Sequence, residues 1–547
     1  MAEPLLEIRH LRMAATFHPA GEAPREITVA DNVNLTLAPG KVLGLIGESG
    51  AGKSSIGLSS AGYARKGVRI TAGEVFIRQR DILRHGGQAL RRLRGREVCY
   101  VAQSAASAFN PARRLMDQVI ESTLQHGLAS RPEAIARAIE LFRQLGLPDP
   151  EHFGECYPHQ VSGGQLQRAM TAMALCPRPA LIIFDEPTTA LDVTTQLDVL
   201  ASIKKAIRET GVSALYITHD LAVVAQVADH IMVLRQGKMV EYGETRQIIE
   251  APREEYTRAL VGKRAMARLD KPVCSSSILT VDSVVAAYAK GTAPTLDKVS
   301  LSLAPGQTLA VVGESGSGKS TLARVITGLL PPQEGRVYFD GHLLAPTVKG
   351  RSKQSLRQLQ MIYQMADTAM NPRHTVGTII GRPLSFYFGL QGKARRERTL
   401  ELLDAIELEP DYIDRYPDEL SGGQKQRVCI ARALAAEPSV IICDEITSAL
   451  DPLVADGILQ LLLRLQKRKQ VAYLFITHDL MTVRAIADVI SVMHQGRVVR
   501  HGRHEEVLTP PFDDYTRKLL ASVPQMRLGW LEEALAMKSD SCDNLRN

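Results

Sequence analysis

The sequence predicts an α/β fold made of two tandem copies of one domain, and three observations support this prediction. Four sequence blocks recur in the same order in the two halves of the chain. In each half, short apolar runs have the composition of parallel strands that are buried on both faces. One such run in each half leads into a glycine-rich loop and then into a segment that can be helical. This order is typical of an α/β domain.

The length and composition are those of a globular protein. The chain has 547 residues, of which 45% are hydrophobic and 23% are charged. These proportions exclude a fibrous, coiled-coil or wholly disordered chain. No apolar stretch approaches the ~18 residues that a membrane span needs, and the N-terminus lacks the pattern of a secretory signal. We therefore expect an intracellular protein without a membrane span of its own.

The charge and the cysteines argue against two further kinds of site. The net charge of +7 arises from 66 basic and 59 acidic residues, without a Lys/Arg block of the kind found in nucleic-acid-binding arms. The sequence therefore predicts no nucleic-acid partner. The seven cysteines are scattered and form no C-x-x-C pair, which argues against a zinc or iron–sulfur site and fits a reducing compartment.

The internal repeat sets the domain boundaries. The block GLIGESGAGKSS at 44–55 recurs as AVVGESGSGKST at 310–321. Three later blocks recur at one constant spacing, which is typical of tandem domains rather than of a solenoid. These blocks are 161–168 with 420–427, 181–192 with 440–451, and 216–221 with 475–480. The predicted parts are a first domain at 1–262, a linker at 263–277, a second domain at 278–524 and a C-terminal tail at 525–547.

The glycine-rich segment of each copy fits the pattern G-x-x-x-x-G-K-[ST], which cradles nucleotide phosphates. Glycines let successive backbone N–H groups curve around phosphate oxygens at a helix start, where the helix dipole favours anions. The lysine reaches the β- and γ-phosphates, and the serine hydroxyl can bind Mg²⁺. The residues predicted to bind nucleotide are Gly47, Glu48, Ser49, Gly50, Ala51, Gly52, Lys53, Ser54, Ser55, Gly313, Glu314, Ser315, Gly316, Ser317, Gly318, Lys319, Ser320 and Thr321.

An acidic pair follows a strand-like apolar run in each copy. The pairs are Asp185-Glu186 and Asp444-Glu445. Open α/β sheets bind ligands at the carboxyl ends of their strands, so this position favours a functional role over a solvated turn. We predict that the aspartates hold Mg²⁺ and that the glutamates polarise the attacking water.

A histidine follows a further apolar run in each copy. His219 comes after ALYIT and His478 after YLFIT, and Asp-Leu follows both histidines. A single histidine near a strand end is usually just a hydrogen-bonded polar group. Its recurrence at matched positions favours a contact with the γ-phosphate of ATP.

The phosphate loop, SGGQ, DE-x-T-[ST]-A-L-D and THD segments together resemble the ATP-binding-cassette (ABC) ATPases over nearly the whole chain. The resemblance implies hydrolysis of ATP with Mg²⁺ by two tandem P-loop NTPase domains, each with an inserted helical subdomain. It also implies that the cassettes pair head to tail, so that SGGQ of one copy closes on nucleotide held by the other. The SGGQ residues are Ser162, Gly163, Gly164, Gln165, Ser421, Gly422, Gly423 and Gln424.

Further residues take their roles from the same resemblance. Gln103 and Gln364 match the family's Gln loop, which contacts Mg²⁺ and senses the membrane partner. Phe17 and Tyr288 are candidates to stack on adenine. The Ala-Leu-Asp segment after each acidic pair matches the loop that couples the two sites.

A narrower resemblance places the chain among the dipeptide, oligopeptide and nickel importers. Residues 104–115 and 365–376 are similar to the stretch after the Gln loop in those proteins, and the YTRAL and YTRKL endings are similar too. The resemblance implies two membrane permease subunits and a periplasmic or extracellular solute-binding protein as partners. It implies a peripheral position on the cytoplasmic face of the inner membrane. Peptides, nickel, opines and glutathione stay open as substrates.

The chain departs from the family pattern at two points. Ile446 stands where the first copy has Pro187, which puts the rate of the second site in doubt. The cysteine-rich C-terminal pattern that binds an iron–sulfur cluster in some relatives is missing, so we predict no cluster.

The helical subdomains are expected at about 104–178 and 365–437, with SGGQ at a helix start. The segments that open them contain small residues and proline. We expect these segments to receive a short helix of a permease near Phe109 and Met370. The alternative is an ordinary loop leading into the helical subdomain.

The rival function is that of a ribosome-bound translation factor, which also joins two cassettes without membrane spans. Such factors carry a long, charged helical linker for RNA, whereas the linker here has about fifteen residues and little charge patterning. We therefore predict an ATPase that energises import, and the ribosomal factor is the alternative.

Overall fold

The apolar runs that precede the acidic pairs and the histidines form fully buried strands. In the first half these are Leu181–Asp185 and Ser213–Ile217, and in the second half Val440–Asp444 and Ala472–Ile476. Valine, isoleucine, leucine and aromatic side chains cover both faces, as expected for parallel strands packed between other layers. The prediction of buried strands is confirmed.

A computed structural model describes residues 3–17, 25–189, 191–262, 276–289, 291–448 and 450–543. The first unit of the chain consists of residues 1–262 and 522–547, and the second unit consists of residues 263–521. Most of the predicted linker at 263–277 lies outside the described residues. Within the described ranges, no helix is long and apolar enough to cross a lipid bilayer.

The first unit combines a mainly parallel sheet with an antiparallel one. Its strands are β1 (Leu6–Phe17), β2 (Arg25–Leu37), β3 (Val42–Gly47), β4 (Val68–Ile77), β5 (Arg80–Asp81), β6 (Val98–Val101), β7 (Leu181–Asp185), β8 (Ser213–Ile217), β9 (His230–Arg235) and β10 (Lys238–Glu244). The larger sheet has the order β10-β9-β3-β8-β7-β6, in which β10 alone is antiparallel to its neighbour. The antiparallel sheet has the order β2-β1-β4-β5.

The second unit repeats both sheets. Its strands are β11 (Leu279–Ala286), β12 (Leu296–Leu303), β13 (Thr308–Val312), β14 (Glu334–Phe339), β15 (His342–Leu343), β16 (Leu359–Ile362), β17 (Val440–Asp444), β18 (Ala472–Ile476), β19 (Val489–His494) and β20 (Arg497–Arg503). The sheet orders are β16-β17-β18-β13-β19-β20 and β12-β11-β14-β15. The tandem α/β architecture predicted from the sequence is confirmed.

Helices of the first unit cover the sheets and build an inserted subdomain. They are α1 (Lys53–Ser59), α2 (Gly87–Leu93), α3 (Ala105–Ala108), α4 (Leu115–Val119), α5 (Glu121–Gln125), α6 (Arg131–Gln144), α7 (Pro150–Phe153), α8 (Gly163–Leu175), α9 (Val193–Thr210), α10 (Leu221–Val224), α11 (Thr245–Glu250) and α12 (Glu255–Val261). Helices α3 to α8 lie between β6 and β7 in the chain, which confirms the first helical subdomain.

The second unit has the same plan. Its helices are α13 (Lys319–Thr327), α14 (Lys353–Gln358), α15 (Ala366–Ala369), α16 (Val376–Phe388), α17 (Gly392–Ala405), α18 (Gly422–Leu434), α19 (Pro452–Lys469), α20 (Leu480–Ile486), α21 (His504–Leu508) and α22 (Asp514–Ala521). Helices α15 to α18 form the second helical subdomain between β16 and β17. Short 3₁₀ turns lie at Ile82–Arg84, Pro158–Gln160, Val348–Gly350, Pro410–Asp414 and Pro417–Glu419.

The sheet order places the candidate site. Strand β8 lies between β3 and β7 and is parallel to both. The carboxyl ends of the three strands therefore meet at one edge of the sheet, where open α/β sheets bind ligands. The phosphate loop, the acidic pair and the histidine follow these three strands, so the fold brings them together.

The C-terminal tail packs on the first unit, although it follows the second unit in the chain. It ends in a helix, α23 (Trp530–Asp543), whose Trp530 and Leu531 side chains are buried. The buried amide of Gln226 donates a 2.9 Å hydrogen bond to the carbonyl oxygen of Arg527 and accepts one from the Leu531 N–H at 3.2 Å. The tail is thus held by both apolar and polar contacts.

Candidate active sites

The phosphate loop of each unit connects a buried strand to a helix. The loops join β3 to α1 and β13 to α13. Gly47 has φ +154°, and a Cβ there would lie 2.1 Å from the carbonyl oxygen of Leu234. Gly313 is equivalent, with φ +155° and 2.2 Å to the carbonyl oxygen of Met493. A side chain is excluded at both positions, so only glycine fits at the start of the loop.

The lysine of each loop is buried and held by the loop itself. Lys53 Nζ donates to the carbonyl oxygens of Gly47 at 2.7 Å and Glu48 at 2.8 Å. Lys319 Nζ makes the matching contacts in the second unit, at 2.9 and 2.8 Å. The ammonium group therefore lies at the loop, where the pattern predicts phosphate oxygens.

The serine after the lysine lies beside the aspartate of the acidic pair. Ser54 Oγ donates to Asp185 Oδ1 at 2.7 Å, and Ser320 Oγ donates to Asp444 Oδ1 at 3.1 Å. Both aspartates are nearly buried. Hydroxyl and carboxylate oxygens are the ligands that Mg²⁺ prefers, so the chemistry of this donor set fits the ion.

The glutamate of the acidic pair faces the histidine and the Gln-loop amide. Glu186 Oε1 lies 3.3 Å from His219 Nδ1. Gln103 Nε2 donates to Glu186 Oε2 at 3.0 Å, and Thr189 Oγ1 donates to the same oxygen at 3.0 Å. The structure therefore brings together the three side chains of the first unit that the sequence predicts to be catalytic.

The second unit repeats this arrangement. Glu445 Oε1 lies 3.5 Å from His478 Nδ1, and Gln364 Nε2 donates to Glu445 Oε2 at 2.7 Å. Glu186 and Glu445 also share an uncommon backbone conformation, with φ of +50° and +49°. Left-handed backbone at a non-glycine residue costs roughly 1–3 kcal/mol and concentrates at functional sites.

Burial and pairing act in opposite directions on these groups. Burial raises the pKa of Glu186, but His219 and Thr189, together with the loop lysine, outweigh this effect and lower the pKa below its usual value. Burial lowers the pKa of His219, but Glu186 outweighs this effect and raises the pKa. The pKa of Glu445 is lowered and that of His478 is raised in the same way. Each glutamate is thereby held as a carboxylate.

The SGGQ segment starts a helix in each unit, as predicted. Ser162 Oγ accepts from the Gln165 N–H at 3.3 Å, and Gln165 Oε1 accepts from the Ser162 N–H at 2.9 Å, which is a capping box for α8. A Cβ at Gly164 would lie 2.2 Å from Thr195 Cγ2 on α9. The same capping box starts α18. The serine and glutamine of SGGQ therefore cap a helix of their own unit, and the second glycine allows this helix to pack closely against the next one. The sequence analysis did not assign these structural roles.

The two aromatic candidates for adenine have different standing. Tyr288 lies beside the second phosphate loop, with its hydroxyl 3.2 Å from Thr321 Oγ1 and accepting from Arg324 at 3.0 Å. Tyr288 is 57% exposed, and the guanidinium carbon of Arg324 lies over its ring, 5.7 Å from the centroid. Phe17 is the last residue of β1, and its side chain lies outside the described residues.

The Ala-Leu-Asp segments are described in part. Ala190 and Ala449 lie outside the described residues. The aspartates that follow, Asp192 and Asp451, are the N-caps of α9 and α19, and each accepts a 3.0 Å hydrogen bond from a backbone N–H in the first turn. These aspartates therefore start helices within their own units.

The two side chains near which we expect a permease helix to dock are themselves buried. Phe109 is 3% exposed and Met370 is 4% exposed, because both pack inside their helical subdomains. A partner that docks on these segments would therefore contact other side chains. The exposed apolar side chains next to the second Gln loop are instead Tyr363 and Met365, at 44% and 58% exposure.

Sequence reasoning missed two residues at Asp185. Tyr100 donates its hydroxyl to Asp185 Oδ2 at 2.7 Å, and Arg65 donates to the same oxygen at 3.3 Å. The corresponding positions of the second copy hold Met361 and Pro331. A position-by-position comparison of the two copies would have pointed to this difference.

The chain is similar to known proteins over most of its length. Residues 30–189 and 296–448 match the ABC transporter family, and residues 240–274 match the C-terminal region of oligopeptide/dipeptide transporters. The glutathione import ATP-binding protein GsiA of Salmonella choleraesuis is 37% identical over 95% of this chain and 89% of its own length. GsiA of Escherichia coli strain K12 is 37% identical over 91% of this chain and 87% of its own length.

A solved structure of cbiO1 from Clostridium perfringens, part of the ABC transporter complex cbiONQ, is 31% identical over 42% of this chain and 90% of that chain, with a TM-score of 0.39. The relatives GsiA are import ATP-binding proteins, so the ribosomal alternative is wrong. The two cassette matches together cover more than half of the chain. The chain therefore belongs to the ABC transporter family, as an ATPase with two cassettes in tandem of the type that serves importers.

Proposed function

We propose that the chain hydrolyses ATP at both sites to drive the import of small peptides, with glutathione as the first candidate. One observation carries this proposal: glutathione import ATP-binding proteins are 37% identical to this chain over 95% of its length. The match of residues 240–274 to the oligopeptide/dipeptide transporters supports the same class of substrate.

Glu186 and Glu445 are the proposed general bases. Each is a carboxylate with a depressed pKa, held by a histidine on one oxygen. A water molecule that donates to this carboxylate would be polarised for attack on the γ-phosphate. His219 and His478 lie within 3.3 and 3.5 Å of the glutamates and would orient them, and we propose that they also contact the γ-phosphate. Positioning and electrostatics of this kind supply most of the catalysis in phosphoryl transfer.

Mg²⁺ is the proposed metal at each site. Ser54 and Asp185 would hold it in the first unit, and Ser320 and Asp444 in the second, because their oxygens already lie together. The remaining proposed ligands are Gln103 and Gln364, which follow the edge strands β6 and β16. When bound, the ion neutralises negative charge on the β- and γ-phosphates.

We also propose that the cassettes pair head to tail, so that the SGGQ of one unit completes the ATP site of the other. The capping boxes at Ser162 and Ser421 support this step, because they leave each SGGQ at a helix N-terminus, which favours anions. Small-angle scattering of the Glu186→Gln/Glu445→Gln double variant should show compaction with ATP. An unchanged radius of gyration would contradict the pairing.

Importer ATP-binding subunits work with membrane permeases, and we propose the exposed patch Tyr363 and Met365 as a contact for one of them. Both residues flank Gln364, whose amide contacts Glu445. A permease helix that docks there could shift the glutamate through this hydrogen bond. We further propose that a solute-binding protein outside the membrane delivers the substrate. The chain itself would lie on the cytoplasmic face of the inner membrane.

Reconstitution tests the substrate. The chain, its permeases and the binding protein encoded beside them should be placed in liposomes, and ATPase activity measured with glutathione, a dipeptide or nickel supplied to the binding protein. We expect glutathione or the dipeptide to raise ATPase activity and to accumulate with ATP. Stimulation by nickel alone would overturn the peptide proposal and leave the ATPase assignment intact.

A further inference from the structure

We propose that Arg65 and Tyr100 make the first site a weaker Mg²⁺ site than the second, because they occupy the carboxylate that the ion has to share. The inference rests on the proposed metal role of Asp185. It concerns the difference between the two sites, which neither the family match nor the relatives address.

Both oxygens of Asp185 are engaged. Oδ1 accepts from Ser54, while Oδ2 accepts from Tyr100 at 2.7 Å and from the Arg65 guanidinium at 3.3 Å. The Asp185 side chain is 3% exposed, so its negative charge is neutralised locally by Arg65 rather than by water. The Tyr100 hydroxyl is the donor in its hydrogen bond, because the Asp185 carboxylate oxygen can only accept.

The second site differs at both positions. Within the part of the chain that the structure describes, Ser320 is the only side chain that donates a hydrogen bond to Asp444. Met361 stands three residues before Gln364, as Tyr100 stands before Gln103, and its side chain has no donor to offer. The position of Arg65 is taken by Pro331. Asp444 is thus a buried carboxylate without a guanidinium in hydrogen-bond contact, although Arg324 lies close enough to lower its pKa electrostatically.

This contrast predicts the direction of the difference. A divalent ion at Asp185 meets a guanidinium in direct contact with the carboxylate and has to displace or share two hydrogen bonds. At Asp444 both of these hydrogen bonds are missing, and Arg324 acts on the carboxylate only through its charge, without a hydrogen bond to it. Repulsion between like charges a few ångströms apart is substantial even near a protein surface. The Arg65 side chain is 55% exposed, so water and salt screen part of the repulsion and the side chain can swing aside. We expect about a tenfold difference in metal affinity rather than a dead site.

The experiment isolates the first site in the full chain. Lys319→Ala removes the nucleotide clamp of the second site, and Mn²⁺ binding is followed by electron paramagnetic resonance in the presence of a non-hydrolysable ATP analogue. We expect Arg65→Gln to lower the half-saturating Mn²⁺ concentration about tenfold, and less at high salt. Arg65→Lys, which keeps the charge, should stay close to the parent. Tyr100→Phe, which removes only the hydroxyl, should shift the value in the same direction by a smaller factor.

Two controls separate charge at the site from general effects. Arg69→Gln removes an exposed arginine that pairs with Glu26, so it should leave Mn²⁺ binding unchanged. In the reciprocal parent, with Lys53→Ala, the change Met361→Tyr should weaken Mn²⁺ binding at the second site. Unchanged or weaker binding in Arg65→Gln would overturn the inference. If Asp185→Asn leaves Mn²⁺ bound in the first parent, then the metal role of Asp185 fails instead, and the two failures are told apart.

Discussion

Asp185 of the first unit accepts hydrogen bonds from a serine, a tyrosine and an arginine, whereas Asp444 of the second unit accepts one from its serine, and burial raises the pKa of Asp444. The glutamates beside them differ less: Thr189 donates to the carboxylate of Glu186, whereas Ser448 donates to the backbone carbonyl oxygen of Glu445. Glu186 and Glu445 each meet one histidine and one glutamine at similar distances. The two sites therefore share the groups that are proposed to act on water. They differ in the side chains that donate hydrogen bonds to Asp185 and Asp444, the proposed metal ligands.

A second difference between the units lies in strands β10 and β20. Glu241 in β10 and Arg500 in β20 lie opposite equivalent valines of the neighbouring strand. Glu241 accepts from the backbone N–H of Arg253 at 3.0 Å, and Arg500 donates to the carbonyl oxygen of Pro511 at 2.7 Å. Opposite charges thus stabilise the equivalent turn in the two units. Glu241 accepts hydrogen bonds from backbone N–H groups, and Arg500 donates hydrogen bonds to backbone carbonyl oxygens. The fold requires that backbone polar groups be paired, not that a particular charge pair them.

The largest expected effect tests whether both sites hydrolyse ATP. Glu186→Gln and Glu445→Gln each remove a general base, and we expect each alone to remove at least about half of the turnover and both together to lower it about 1000-fold, or about 4 kcal/mol. Steady-state ATPase assays measure this, with the surface change Glu209→Gln as a control. If Glu445→Gln keeps full activity while Glu186→Gln is inactive, the second site does not hydrolyse ATP. We would then attribute its inactivity to Ile446.

Much of the fold and of each site followed from the repeat. Matched blocks in two copies turn weak local patterns, such as one histidine after a strand, into pairs, and the structure brings His219 within 3.3 Å of Glu186. Buried strands were predictable because their apolar runs lack polar interruptions. Arg65 and Tyr100 were not, because their contact with Asp185 joins segments far apart in the chain.

The tail and the docking surface show two further limits of the sequence. The apolar spacing of the tail predicts a helix at the C-terminus but does not show which surface that helix packs on. Gln226, its hydrogen-bond partner, lies some three hundred residues earlier in the chain. The small residues and the proline of the segments around Phe109 and Met370 predict an accessible loop, but they do not show that these two side chains are buried. Their burial depends on packing between helices of the subdomain, which local composition does not report.

The next effect concerns the tail, which the first unit has and the second lacks. The second unit has Ala485 where the first has Gln226, so it cannot make the same contacts. Deleting residues after 522 exposes the surface under Trp530 and Leu531 and breaks the 2.6 Å ion pair of Lys204 with Glu532. We expect the first unit to lose about 3 kcal/mol of unfolding free energy.

Denaturant unfolding measures this loss, and the single tryptophan provides a selective probe, because Trp530 is the only Trp of the chain. Gln226→Ala keeps the tail but removes its polar clamp, so Trp530 fluorescence should shift to the red at lower denaturant than in the parent. Ala485→Gln is the matched change in the second unit and should leave the Trp530 transition where it is. A Trp530 signal that melts together with the whole chain in Gln226→Ala would contradict an independently held tail.

A smaller effect tests the exposed patch beside the Gln loop of the second unit. Tyr363 and Met365 correspond to Ala102 and Ser104 of the first unit, so the patch is more apolar in the second. We expect Met365→Glu to lower transport about tenfold while basal ATPase persists, because a charge in an apolar contact costs about 1.4 kcal/mol or more. Met365→Ser, which copies the first unit, should cost less. Equal transport in all three proteins would move the contact elsewhere.

The smallest effect distinguishes the opposite charges of β10 and β20 by pH. Glu241 is 6% exposed; burial raises its pKa, but hydrogen bonds from the Arg253 and Glu254 N–H groups and from Gln247 outweigh this and lower it. A depressed carboxyl pKa contributes stability that is present above the unfolded value of about 4.5 and is lost as pH falls through the folded value.

Glu241→Gln should therefore cost about 1 kcal/mol at pH 6, because its amide presents N–H groups where a carboxylate oxygen accepted one, and this cost should shrink as the pH falls below about 4.5. The matched change Arg500→Gln removes a guanidinium that stays charged throughout, so its cost should vary less between pH 6 and pH 3.5, and only through the carboxylate of Asp513 at 3.9 Å. Urea midpoints of the two variants and the parent at both pH values measure the difference. A cost of Glu241→Gln that is constant with pH would mean that the turn needs the shape of this side chain and not its charge.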